Sequence, residues 1–160
     1  MVYTYRIMKI TLIGSMIFMG KMNEIKSTLE TFGHSVVSPA LTQEEVKTGV
    51  DTFMDYVDAQ GGVEKVLPDN AIWKIKEESM KAYKKNLDEA DLVLVCNFDK
   101  GEKKNRVGDN TFLEMGYSFF LGKKIYVLQG PPHGDEKIEE VLGMRPVFLY
   151  GDVERLEVIQ

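Results

Sequence analysis

The first forty residues contain the pattern that most restricts the fold. Residues 7–13 form an apolar run of strand length that ends at Gly14 and Ser15, and apolar residues then recur at helical spacing. Gly33 ends the predicted helix, and residues 35–38 form a second, shorter strand. Two strands joined by a single helix make a βαβ unit, whose strands run parallel. The pattern therefore predicts a parallel sheet.

Three further segments extend this sheet. Residues 91–97 are apolar without alternation, as expected of a strand that is buried on both faces. Residues 125–128 and 146–150 are two shorter strands, and helical patterns precede each of them. Residues 43–60 and 69–89 add two predicted helices, separated by Gly61 and Gly62, which is more than a crossover between two strands needs. We interpret residues 43–68 as a helical insert.

These elements predict an α/β fold, a flavodoxin-like three-layer sandwich with a five-stranded, mainly parallel sheet in the order 2-1-3-4-5. We expect one domain over residues 1–160, with residues 1–6 as a disordered or tag-like extension. Ligands of such sheets bind beyond the carboxyl ends of the strands, where the strand order reverses. Here that point lies between the first strand and the 91–97 strand.

Composition limits the classes of partner. A net charge of −5 argues against a dedicated nucleic-acid binder, whose affinity comes largely from a basic face. Cys96, the single cysteine, lies within an apolar strand and indicates a reduced, cytoplasmic protein. No apolar run approaches the ~20 residues of a membrane span, and the N-terminus lacks a secretory pattern. His34 and His133 are far apart, so no histidine metal site is predicted.

Glu114 is the one charged residue in the apolar run 111–121, which we predict to be a buried helix closed by Gly122. An ionised carboxylate is costly to bury unless it is paired or solvated. Positions three and four residues away carry polar side chains, namely Asn110, Thr111, Tyr117 and Ser118. This polar stripe near a helix N-terminus suggests a small-molecule site whose carboxylate stays ionised, as a nucleophile requires.

The alternative is a capping box. Thr111 and Glu114 fit the T-x-x-E pattern, in which the glutamate only caps a backbone N–H. The predicted sheet favours the functional interpretation, because it brings several polar or glycine positions to the same crevice as Glu114. The candidate substrate-binding residues there are Gly14, Ser15, Met16, Asn97, Asp99, Gly108, Asn110 and Thr111. The basic segment 100–109 is predicted to be a solvated flexible loop, with a phosphate-attracting lid as the alternative.

Several motifs together resemble one family. They are Ile13-Gly14-Ser15, Gly33-His34, Glu89-Ala90-Asp91 and Gly108-x-Asn110-Thr111-x-x-Glu114-Met115-Gly116-Tyr117. The set resembles the nucleoside 2-deoxyribosyltransferase superfamily, which includes the 2′-deoxynucleoside 5′-phosphate N-hydrolases. The resemblance covers residues 7–152 apart from the insert 43–68.

The resemblance implies cleavage or exchange of the N-glycosidic bond of a nucleoside or nucleoside 5′-monophosphate. Glu114 would attack the anomeric carbon and form a covalent glycosyl-enzyme intermediate. No cofactor or metal is implied. Related enzymes complete their sites with residues of a neighbouring subunit, so we expect a homodimer or a higher homo-oligomer. The surface we expect to assemble carries Met80, Tyr83 and Leu87.

The sequence also departs from the family. Tyr83 stands where members usually carry an aspartate, Thr11 replaces a tyrosine of some members, and Gly108 replaces a carboxylate of the transferases. Tyr83 or Asp99 could serve as the acid or auxiliary group. The alternative is a non-catalytic nucleotide- or nucleotide-sugar-binding module.

Overall fold

The computed structural model describes residues 6–40 and 53–157. Its sheet has five strands, all paired in parallel, in the order β2-β1-β3-β4-β5. The strands are β1 (Lys9–Gly14), β2 (Ser35–Val37), β3 (Leu92–Cys96), β4 (Lys124–Val127) and β5 (Val147–Phe148). Helices flank the sheet, and the predicted flavodoxin-like order is confirmed.

Seven α-helices are present in the described residues. They are α1 (Met19–Thr31), α2 (Phe53–Ala59), α3 (Val63–Val66), α4 (Asn70–Ala82), α5 (Lys84–Glu89), α6 (Asp109–Phe120) and α7 (Ile138–Gly143). Short 3-10 helices cover Met16–Phe18 and Val153–Glu157. The predicted helix 43–60 lies partly outside the described residues, as do residues 1–5 of the predicted extension. The predicted helix 69–89 is divided into α4 and α5 at Tyr83.

The chain forms two compact units, whose boundaries fall between residues 39 and 40 and between residues 85 and 86. The first unit contains the sheet. Alternate residues of β1 and β3 share a core with Met22 and Leu29 of α1, because successive side chains of a strand point to opposite faces. Helix α6 contacts β1, β3 and β4. Cys96 is buried in this core, and burial raises the pKa of its thiol to about 12.

The second unit extends beyond the predicted insert 43–68, since it also contains α4, and it has a small core of its own. Val57, Val66 and Ile72 are buried there against aromatic rings that include Trp73. The Trp73 indole N–H donates to the carbonyl oxygen of Val66 at 3.0 Å. Asp69 caps α4 by accepting from the backbone N–H of Ala71 at 3.0 Å.

Helix α6 is not buried all round, and that prediction is wrong. Thr111, Met115 and Ser118 form its buried face. Leu113 is 57% exposed and Phe120 is 86% exposed in the described part of the molecule. The helix packs on the sheet through one face only, so its apolar outer residues keep their contact with solvent. Gly122 closes the helix as predicted, with a φ of +72° that suits glycine.

No helix in the described segments has both the length and the apolar character needed to cross a membrane.

Candidate functional site

The switch point of the sheet lies where β1 and β3 end side by side. Their register pairs Gly14 with Cys96, so Ser15 and Asn97 follow adjacent strand ends. A Cβ atom added at Gly14 would lie 2.9 Å from the sulfur of Met22 and 3.0 Å from the carbonyl oxygen of Cys96. Gly14 is therefore required for the close packing of α1 and β3 beneath the crevice.

The turn after β1 leads directly into α1. The backbone N–H of Phe18 donates to the carbonyl oxygen of Ser15 at 2.9 Å, which closes the 3-10 turn over Met16. Ser15 and Met16 are half-buried, and the Ser15 side chain does not cap the turn. Both stay candidate substrate contacts at the carboxyl edge.

Asn97 follows the end of β3, as predicted, and its side chain is engaged inside the protein. Its side chain is wholly buried, and its Nδ2 donates to the carbonyl oxygens of Asn105 at 3.1 Å and Gly130 at 2.9 Å. Its Oδ1 accepts from the backbone N–H of Gln129 at 2.9 Å. A direct substrate contact would require these bonds to open. Asn97 therefore supports the crevice from behind and ties two chain segments to the end of β3.

The segment after β3 is tied to its surroundings by several hydrogen bonds. Asp99 accepts from the backbone N–H of Asn105 at 2.9 Å and from Lys104 Nζ at 2.8 Å. Asn105 in turn donates through Nδ2 to the carbonyl oxygen of Pro131 at 3.1 Å. The backbone N–H of His133 donates to the carbonyl oxygen of Lys104 at 3.2 Å. The segment is thus held against the turn that follows β4.

These contacts decide the protonation of Asp99. The hydrogen bond from Lys104, followed by the one from the Asn105 backbone, holds the pKa of the Asp99 carboxyl below its ordinary value. Asp99 is ionised at neutral pH and is a poor proton donor. It does not suit the acid role that the sequence allowed for it.

Helix α6 begins with a glycine cap and an ion pair. Gly108 is the N-cap residue, and a Cβ atom there would lie 3.3 Å from a guanidinium nitrogen of Arg106. Asp109, the first helical residue, pairs with Lys137 Nζ at 3.0 Å. Lys137 also contacts Asp135 at 3.3 Å. The hydrogen bond from Lys137 lowers the pKa of Asp109, so a second carboxylate near the crevice is ionised.

Glu114 is the sixth residue of α6, which excludes the capping box. The N-cap is Gly108 and not Thr111. A capping glutamate stands in the first turn of its helix, and Glu114 lies beyond that turn. Glu114 is half-buried rather than buried, and the Asn110 amide donates to its Oε1 at 3.0 Å. Thr111 is buried, which leaves Asn110 and Glu114 as the polar pair with access to solvent.

The predicted polar stripe does not continue along the helix. The Tyr117 hydroxyl donates to the Asp88 carboxylate at 2.5 Å, and Asp88 precedes the amino end of β3. Ser118 is buried and donates to the backbone carbonyl oxygen of Glu114 at 2.8 Å. Of the predicted stripe, only Asn110 and Glu114 therefore have solvent access in the N-terminal half of α6, which begins at the carboxyl edge.

Tyr83 lies in the second unit, at the C-cap of α4, and its role as an acid stays a prediction. The surface predicted for assembly is smaller than expected, because Leu87 is buried and only Met80 is well exposed. Among the described residues, no three His, Cys, Asp or Glu side chains lie close enough together to hold a metal ion.

Three residues at the crevice were not assigned a role from the sequence. The rings of Phe18 and Phe98 lie beside each other, with centroids 5.1 Å apart and planes tilted by 55°. The ammonium of Lys21 lies 4.9 Å from the Phe98 centroid and 5.6 Å from that of Phe18. Their positions in the sequence could have identified the two rings, because Phe98 follows Asn97 at the end of β3 and Phe18 follows the turn after β1. Apolar residues at such positions are more often core, which is why the sequence alone did not distinguish them.

Comparison of the chain with models of known protein families found no match, and comparison with curated proteins found none either.

Proposed function

We propose that the protein cleaves or exchanges the N-glycosidic bond of a deoxynucleoside or its 5′-monophosphate, with Glu114 as the nucleophile. The observation that carries the proposal is the environment of Glu114. Its carboxylate is half-buried, receives a hydrogen bond from Asn110, and lies beyond the capping position of α6. A hydrogen bond donated to the carboxylate favours its charged form and fixes its direction. Those are the properties that a carboxylate nucleophile needs.

The proposed reaction has two steps. A Glu114 oxygen attacks the anomeric carbon while the bond from that carbon to the base nitrogen breaks, and the bonding electrons leave with the base. The departing base takes up a proton from solvent, and the attacking water or second base gives one proton back to solvent in the next step. Water, or a second base, then attacks the same carbon and releases the carboxylate. The first acceptor gives hydrolysis, and the second gives transfer.

The direct test is incubation with a panel of deoxynucleosides and their monophosphates, followed by detection of free base. Glu114→Gln removes the anionic nucleophile at nearly constant shape, and we expect a loss of at least 10³-fold in rate, on the scale of nucleophile removal in other hydrolases. Glu24→Gln is the matched control, because Glu24 is an exposed carboxylate on α1. Full activity of the Glu114 variant would exclude the proposed mechanism.

A non-catalytic nucleotide- or nucleotide-sugar-binding module is the second candidate. It is favoured by the lowered pKa values of Asp99 and Asp109, which leave neither carboxyl as a proton donor at neutral pH. Calorimetry separates the two functions. Stoichiometric binding of a nucleotide without release of base, and affinity within a few-fold in the Glu114 variant, would support the module.

The positive charge near the start of α6 bears on whether the substrate is a nucleotide. Arg106 and Lys137 lie near this helix N-terminus, where backbone N–H groups favour an anion. Asp109 opposes a phosphate there, although Lys137 neutralises much of its charge. The balance slightly favours the monophosphate over the nucleoside.

A homodimer or higher oligomer remains our expectation, which light scattering at micromolar concentration tests.

A further inference from the structure

Two phenyl rings and one ammonium group converge at the switch point of the sheet. Phe18 precedes α1, and Phe98 follows β3. Their ring centroids are 5.1 Å apart, so the two rings lie together beyond the paired ends of β1 and β3. Both rings are half-buried, and Phe98 also packs on the main core. The rings are therefore held in place from below while part of their surface remains open at the crevice.

The ammonium of Lys21 lies over both rings of this pair. Its side chain is exposed, and its ammonium lies 4.9 Å from the Phe98 centroid. A cation–π contact at an exposed site is weaker than the stacking of a nucleobase on an aromatic side chain. A planar base can therefore take the ring surface, and the flexible four-carbon stem of Lys21 lets the ammonium move to the edge of that base.

The chemistry of the ammonium then selects among bases. A lysine side chain is a donor of three hydrogen bonds and accepts none. An oxo group at the base edge can accept from it, whereas an amino group at the same position offers only further donors. Asp99, a carboxylate that interacts electrostatically with Lys21, is itself engaged by Lys104 and by the Asn105 backbone.

We propose that Phe18 and Phe98 form the platform for the base of the substrate, and that Lys21 selects bases with an oxo group at the edge it faces. The proposal rests on the proposed function for the identity of the ligand as a nucleoside or nucleotide. The proposal adds a subsite for the base and predicts that, among the purines, hypoxanthine and guanine bind there more tightly than adenine.

Hypoxanthine and adenine are the probes, because they share the purine ring and differ at C6, oxo in the first and amino in the second, and in the proton that N1 carries only in hypoxanthine. Calorimetry on the full chain measures both dissociation constants without any catalytic step. We expect hypoxanthine to bind about tenfold more tightly, which corresponds to ~1.4 kcal/mol. Lys21→Met should remove this preference and leave adenine binding within about twofold. Lys124→Met is the matched control at an exposed lysine on the opposite edge of the sheet, where β4 begins.

The platform is tested separately. Phe98→Leu should weaken the binding of both bases by about tenfold, and circular dichroism checks that the variant is folded. Phe18→Leu repeats the test at the ring that contributes less to the core. Equal affinity of the unchanged protein for the two bases, a preference that survives in the Lys21 variant, or no binding of either base at millimolar concentration would each overturn the proposal.

These outcomes are distinguishable from failure of the proposed function. Base binding that depends on Lys21 and on the ring pair, in a protein that cleaves no nucleoside, would support the subsite and refute the glycosidase. Cleavage that is unaffected by Lys21→Met and Phe98→Leu would leave the glycosidase intact and refute the subsite.

Discussion

Asn97 offers the sharpest test of the architecture around the crevice. Asn97→Ala removes three hydrogen bonds at once: two donated to the carbonyl oxygens of Asn105 and Gly130, and one accepted from the N–H of Gln129. A typical intramolecular hydrogen bond contributes ~1 kcal/mol net, so the three together contribute about 3 kcal/mol. This is a large part of the 5–15 kcal/mol that ordinarily separates folded from unfolded protein.

The expected consequence is both global and local. For a chain of this length, a loss of ~3 kcal/mol lowers Tm by about 6–12 °C in a thermal melt followed by circular dichroism. Amide hydrogen exchange should also quicken in residues 98–107, because Asn97 and Asp99 hold that segment. Asn110→Ala is the comparison, since it removes one exposed hydrogen bond and should change Tm by less than about 3 °C. A shift below about 2 °C for Asn97→Ala, with unchanged exchange, would show that the three bonds do not stabilise the crevice.

Two further predictions concern the packing under the crevice and the ion pair at its rim. Gly14→Ala should destabilise the protein by about 1–3 kcal/mol in urea unfolding, because its Cβ would meet Met22 and Cys96 at 3.0 Å or less. Gly20→Ala in α1 is the control and should be neutral or stabilising, because no atom lies within 4 Å of the added Cβ. Equal effects of the two substitutions would contradict the packing argument. The pKa of Asp109 is lowered by its hydrogen bond with Lys137, so its contribution to stability is present above the ordinary value of 3.8 and is lost as the pH falls through the lowered pKa. The pKa of Lys137 is raised, chiefly by Asp109, so its contribution is present below 10.5 and is lost as the pH rises through the raised pKa. Asp109→Asn should flatten the acid limb of a pH–stability profile, and an unchanged limb would exclude this account.

The sheet could be predicted because its signals are local. Apolar runs of strand length, glycine turns and the βαβ pattern identify β1, β2 and β3, and the reversal of strand order follows from that connectivity. The closing Gly122 was found in the same way, since a helix end depends on neighbours within a few residues.

The site was harder to predict, because it depends on contacts between distant segments. Asn97 looks like a ligand residue at the end of a strand, and only the positions of Asn105 and Gly130 show that its amide is used internally. The apolar outer face of α6 cannot be distinguished from a buried face by composition, since periodicity does not reveal what lies opposite. For Glu114 the sequence left two interpretations open, and the start of α6 at Asp109 removed the capping box.

The division of the chain into two units has a consequence for how its length can vary. Both boundaries, 39/40 and 85/86, fall in the connection from β2 to β3, and both of those strands pair directly with β1. The second unit carries its own core of Val57, Val66 and Ile72. We expect such a segment to be replaceable if the exchange keeps α5 (Lys84–Glu89), in which the second boundary lies, and if the replacement has the dozen or more residues that a parallel crossover needs. Insertions, deletions and grafted modules are therefore best directed to this connection, where they leave the paired ends of β1 and β3 unaltered.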